Sequence, residues 1–216
     1  MKERLVKKTH LPRVRGNALV SLMAISVILT VGAYRQILPY PILDDLLLSF
    51  LMPIFIILLV FRENPLRYGL GVGNWREGLI WVVGGSILMI GMAWLFWRLP
   101  NFQAYYHGLF PATPNPNESF WRGVARSGLY MFGWEFLFRG FLLFALAGWF
   151  GPEAIWIQAV PFALAHIGKP EWETYSSIVG GVLSGWVAYR VKSCYPSWLM
   201  HWVLAICIHW LVVYGR

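Results

Sequence analysis

Residues 130–144 read YMFGWEFLFRGFLLF, an apolar run broken only by Glu135 and Arg139. A bilayer-spanning helix needs roughly 20 mostly apolar residues. An ionisable group inside such a run costs on the order of several kcal/mol unless it is paired or faces a cavity. The four-residue separation puts the carboxylate and the guanidinium on one helical face, about 5–6 Å apart at Cβ. The plainest explanation is a structural ion pair. Pairing lowers the cost of burial, but it does not explain why the charges are there, because apolar replacements often serve stability as well.

The rest of the chain supports reading this stretch as membrane-embedded. Of its 216 residues, 58% are hydrophobic and 13% charged, and the mean hydropathy is +0.56, which excludes an ordinary water-soluble domain. Thirteen Trp and ten Tyr suit an interface where one end of the ring is apolar and the other wet. The net charge of +8 could suggest nucleic acid, but six of the 18 Lys and Arg fall in MKERLVKKTHLPRVRG, residues 1–16. That clustering fits a cytoplasmic anchor on anionic lipid, so no nucleic-acid partner is expected. A basic lead followed by an apolar run without a small-residue cleavage site predicts a retained anchor. Cys194 and Cys207 lack metal-ligand spacing.

Apolar segments at 17–34, 42–61, 78–97, 123–148, 152–168, 172–191 and 196–214 predict an all-α polytopic membrane protein, a bundle of about seven helices, six to eight in all. Three regions follow. Residues 1–16 form the basic cytoplasmic segment, 17–122 the N-terminal helices with an external loop at 98–122 rich in Pro and Asn, and 123–214 the membrane core. With the N-terminus inside, Arg62, Arg67 and Arg76 share the inner side with Arg190 and Lys192. In SSIVGGVLSG, Ser177, Gly181 and Gly185 recur every four residues, which predicts a helix closely approached by a neighbour.

Besides Glu135 and Arg139, the apolar segments carry His166 and His201, with His209 a weaker candidate near the end of its segment. Phe162, one turn before His166, should lay its ring over the imidazole. A lone His in such a setting is more often a packing residue than a catalyst. One carboxylate, one guanidinium and two imidazoles on three helices, in a chain with so few intramembrane charges, nevertheless predict a site. A simple zigzag leaves His166 and His201 on the order of 15 Å apart in depth. An extended piece at 167–175, IGKPEWETY, is expected to absorb the difference, with Glu171 and Glu173 near the cavity mouth.

These motifs resemble the CPBP (Abi) family, the type II CAAX prenyl endopeptidases and their bacterial relatives, some linked to bacteriocin processing or self-immunity. The family carries EExxxR followed by Gly, then FxxxH, then HxxxN or HxxxD. Here these stand as Trp134-Glu135-Phe136-Leu137-Phe138-Arg139-Gly140, Phe162 to His166, and His201 to Ala205. The likeness covers about 120–214. Trp134 takes the place of the first glutamate, the family's usual water-activating base. Ala205 stands where an oxyanion-holding Asn or Asp is expected.

The resemblance implies a membrane-embedded endopeptidase of glutamic type in a bacterial plasma membrane, its partners being membrane lipids and a membrane-associated protein or peptide substrate. Glu135 is the base, His166 shares the water, Arg139 orients the carboxylate, and His201 donates to the oxyanion, a contribution of roughly 3–4 kcal/mol where such donors exist. Glu171 or Glu173 could replace the missing carboxylate. No cofactor is expected. A zinc ion on Glu135, His166 and His201 is the alternative, disfavoured because no HExxH-type pair fixes two ligands on one helix. Two other functions are weighed: a catalytically silent member acting in binding, regulation or immunity, and a small proton-coupled carrier.

Overall fold

A computed structural model describes residues 2–110 and 114–215, with side chains from residue 14 onward. The basic side chains of residues 2–13, and residues 111–113 of the expected loop, lie outside that description. Among the described residues the chain is helical throughout, without a strand. We label the helices α1 (Lys2–Tyr34), α2 (Pro41–Phe61), α3 (Trp75–Phe96), α4 (Pro100–Leu109), α5 (116–150), α6 (Ala154–Leu164), α7 (Glu171–Val191) and α8 (Tyr195–Tyr214). Seven of them follow the seven expected segments. The eighth, α4, falls inside the interval expected to be loop.

Local chemistry accounts for where helices start. Asn74 and Asn115 accept hydrogen bonds from the backbone N–H of Glu77 and Glu118, capping α3 and α5. Pro41, Pro100, Pro116 and Pro196 occupy first turns, where the absent N–H would have had no intrahelical partner. α4 has the same physical basis as a longer helix. Phe102 and Tyr106 lie one turn apart and both are buried, and the amphipathic period in FQAYYHGL drives it to fold onto α8.

Five segments are long and apolar enough to cross a membrane: Val14–Tyr34, Pro41–Phe61, Trp75–Phe96, Pro116–Leu164 and Tyr195–Tyr214. The 49-residue segment reverses in the turn Gly151–Glu153, so it comprises both α5 and α6. α7 falls outside the five because its first turns, EWETYSS, are polar. Leu79, Ile80, Val83 and Ile87 of α3 are exposed, an outer face that only lipid would solvate comfortably. This is a polytopic, integral membrane protein.

The core sits around the middle of α5. Every residue from Phe136 to Leu142 is buried, and this stretch is π-helical, with one more residue per hydrogen-bonded turn than an α-helix; such stretches recur at functional sites. Gly140 is needed there, since a Cβ would come within 2.7 Å of the Tyr68 carbonyl. The Ser177–Gly181–Gly185 stripe faces α6 as its spacing predicts. A Cβ on Gly181 would meet Phe162 Cδ1 at 3.0 Å, and one on Gly185 would meet the Gln158 amide at 2.3 Å.

The basic ends share one side of the bundle, consistent with the charge count. Asn17 donates to Glu63 at 3.1 Å, Arg190 pairs with Glu77, and Asn74 N–H donates to the Val191 carbonyl. Arg15 lies 5.8 Å over the Trp149 ring at that end. At the opposite end the Tyr214 hydroxyl donates to Asn117 Oδ1 at 2.6 Å.

Candidate active site

Glu135 is the last α-helical residue before the π stretch, and Arg139 lies within it. Arg139 Nη1 donates to Glu135 Oε1 at 3.2 Å, with both side chains 1% exposed. The same oxygen accepts from His201 Nδ1 of α8 at 2.7 Å. Thus the ion pair foreseen from the spacing is one arm of a three-residue cluster. Glu135 Oε2 and Arg139 Nε have no hydrogen-bond partner among the described residues. A buried carboxylate oxygen left without a partner is costly, and this one belongs to a side chain that lines a cavity.

Phe162 organises the other half. Its ring centroid lies 4.6 Å from that of His166 and 6.4 Å from that of His201, and the Arg139 guanidinium carbon sits 3.7 Å from it, within cation–π range. His166 Nδ1 donates to the Phe162 carbonyl at 2.8 Å, which fixes the tautomer and leaves Nε2 as the free lone pair. His201 Nδ1 is committed to Glu135, so only its Nε2 can touch a substrate. Donating from Nε2 to an oxyanion therefore requires a ring carrying both protons.

The extended piece expected at 167–175 is not what brings the imidazoles together. Residues 165–169 form hydrogen-bonded turns, reversed through Gly168 at φ +95°, and α7 already starts at Glu171. α6 has only 11 residues, about 16 Å of rise. It is shorter than the roughly 20 residues a full span needs, and the Phe162 ring neighbours both imidazoles.

Glu135, His166 and His201 line one cavity of about 590 Å3, within the range of small-molecule and peptide-side-chain pockets. Most of its wall is apolar, including Trp81, Leu88, Met89, Leu183 and Leu204. Trp134, at the family's first carboxylate position, packs its ring 6.4 Å from that of His166. Ala205 is buried one turn past His201 and offers no donor. His209 lies against Phe110, centroids 4.2 Å apart, and is not among the cavity residues. Among the described residues no group of three His, Cys, Asp or Glu is placed to hold a metal ion.

Glu173 does line the cavity, whereas Glu171 accepts from the Tyr175 hydroxyl at an exposed site. Glu173 Oε2 accepts from the Tyr106 hydroxyl at 2.7 Å and Oε1 from Lys169 Nζ at 2.9 Å. The sequence does not single out Tyr106, because the Pro/Asn-rich flank of 98–122 carries the stronger, loop-like signal. The i, i+4 pair Phe102 and Tyr106 was the available signal.

No curated protein and no solved structure matched the chain. A family model, type II CAAX prenyl endopeptidase Rce1-like, matches residues 116–207. The match runs from the first turn of α5 into α8 and takes in Glu135, Arg139, His166 and His201. Over these residues the chain is similar to the Rce1-like type II CAAX prenyl endopeptidases, the family that the motifs resemble.

Proposed function

We propose that the chain is a membrane-embedded endopeptidase that hydrolyses a peptide bond of a membrane-associated protein or peptide without a covalent intermediate. The observation that carries this reading is the convergence of Glu135, His166 and His201, from three helices, on one cavity, with the buried Glu135 keeping one carboxylate oxygen without a hydrogen-bond partner among the described residues. In this reading Glu135 Oε2 takes a proton from water, while Arg139 and His201 hold Oε1 and fix the carboxylate plane. His166 Nε2 accepts the second water hydrogen. Glu135 then returns its proton to the leaving nitrogen, and His201 Nε2 faces the oxyanion. Here Glu135 and His166 alone activate the water, and a chelator is expected to leave cleavage unchanged.

Purified full-length protein in detergent, offered a quenched library of apolar membrane peptides, tests the reading. Cleavage should be lost in both Glu135→Gln and His166→Ala. Cleavage that survives both would overturn the assignment.

A second reading, a catalytically silent family member that binds its peptide, is favoured by the Trp134 ring beside His166 and by the absence of a donor at Ala205. Peptide binding without turnover in the same assay would establish it. The orientation that suits either reading has the N-terminus in the cytoplasm of a bacterial cell, since the described basic residues Arg62, Arg67, Arg76, Arg190 and Lys192 gather at that end.

A further inference from the structure

Two carboxylates line the cavity among its described residues, Glu135 and Glu173. Glu135 is held by two cationic or hydrogen-bonding neighbours inside the protein. Glu173 is held differently. One of its oxygens meets a neutral hydroxyl, Tyr106, whose phenol is pushed well above its ordinary pKa by burial and by the nearby Glu173 charge, so it remains a donor. The other meets Lys169, four residues earlier on the turn between α6 and α7. The Lys169 and Glu173 side chains are 28% and 17% exposed, so solvent reaches this pair while it is shut out of the Glu135–Arg139 pair, where both are 1% exposed. Lys169 is the more exposed partner and has a path to water, while the Tyr106 hydroxyl holds Glu173 in place.

From this geometry we infer that Glu173 is a cation subsite of the cavity, where the ammonium group of a bound peptide displaces Lys169 Nζ from Oε1. The inference rests on the endopeptidase reading for the source of the ligand. Hydrolysis of a peptide bond adds OH to the carbonyl carbon and a proton to nitrogen; the acid product then gives up a proton, and the new amino terminus becomes an ammonium. In an apolar cavity that charge needs a counter-ion, and Glu173 supplies one outside the Glu135 cluster. It thereby restores a second carboxylate to a site whose family position for it holds Trp134. A Lys or Arg side chain of an intact substrate presents the same chemistry.

The probe is an apolar peptide rich in aminoisobutyric acid, which resists hydrolysis, carrying a dye at its C-terminus. It is compared in three forms: free amino terminus, N-acetylated, and N-acetylated with one Lys beside the acetyl group. Binding to the full chain in detergent is read by fluorescence anisotropy.

The free-amine form should bind about tenfold tighter than the acetylated form. Glu173→Gln should abolish the difference, and Glu135→Gln should leave it. A Lys form that matches the free amine extends the subsite to side chains; one that matches the acetylated form restricts it to the new terminus. Lys169→Ala should tighten free-amine binding, a gain that damaged folding would not produce.

Equal binding of the free and acetylated forms to wild type, a difference that survives Glu173→Gln, or no gain in Lys169→Ala would each overturn the inference. Binding is read without turnover, so the two readings fail separately. A chain that discriminates but never cleaves sinks the endopeptidase reading alone, and one that cleaves without discriminating sinks the subsite alone.

Discussion

Glu135 and Glu173 line one cavity in opposite physical situations. Glu135 is 1% exposed, shares one oxygen between Arg139 and His201, and sits where every neighbour from Phe136 to Leu142 is buried. Glu173 keeps contact with solvent and meets a lysine that water can reclaim. Burial makes the first carboxylate rigid and expensive to alter, whereas exposure makes the second exchangeable. One cavity thus combines a fixed chemical end with an adaptable one.

The largest effect should come from splitting the fixed end. Arg139→Met removes the guanidinium from the buried Glu135 carboxylate, leaves it only the His201 hydrogen bond among the described residues, and should cost about 3–5 kcal/mol of stability. Pairing it with Glu135→Gln should recover much of that loss, a coupling that a double-mutant thermal-unfolding series would measure. Glu135→Gln alone should lower kcat/KM for the peptide that wild type cleaves best by about 10²–10⁴-fold.

Phe162→Leu comes next. Removing the ring that contacts Arg139 and both imidazoles should lower kcat by about 10²-fold with little change in KM if these groups act as proposed, because it displaces them rather than the substrate. Phe162→Tyr should retain most activity. At the exchangeable end, Tyr106→Phe removes one hydrogen bond to Glu173 and should cost about 0.5–1.5 kcal/mol in unfolding experiments. Lys169→Ala should be the mildest, at most about 1 kcal/mol. A large stability loss in Lys169→Ala would erase the contrast between the two carboxylates.

The legible parts of the molecule are those whose signal is local. Apolar runs located the seven segments to within a few residues in most cases, since hydrocarbon thickness leaves little freedom in helix length. The four-residue spacings of Glu135 with Arg139 and of Phe162 with His166 gave their contacts because i, i+4 geometry is fixed by the helix itself. Contacts between helices were harder to foresee. The His201–Glu135 hydrogen bond joins residues 66 apart and depends on the lateral position of α8. The short α6 was read as a full span because its apolar run continues beyond Leu164, and only the turns at 165–169 stop the helix. The α4 contribution was hidden in a segment whose prolines and asparagines at 114–117 signal a break that lies after that helix, not within it.

The π-helical stretch of α5 carries a further consequence. An α-helix keeps one continuous stripe facing a neighbour, but the wider turn at 136–142 offsets the stripe, so the halves of α5 present different sides to the bundle. The N-terminal half is free to track α8 while the C-terminal half tracks α1. Shortening this stretch by a single residue would restore ordinary winding and swing one half by about a quarter turn. The damage would come through angle rather than volume, and cavity-filling substitutions elsewhere would not repair it.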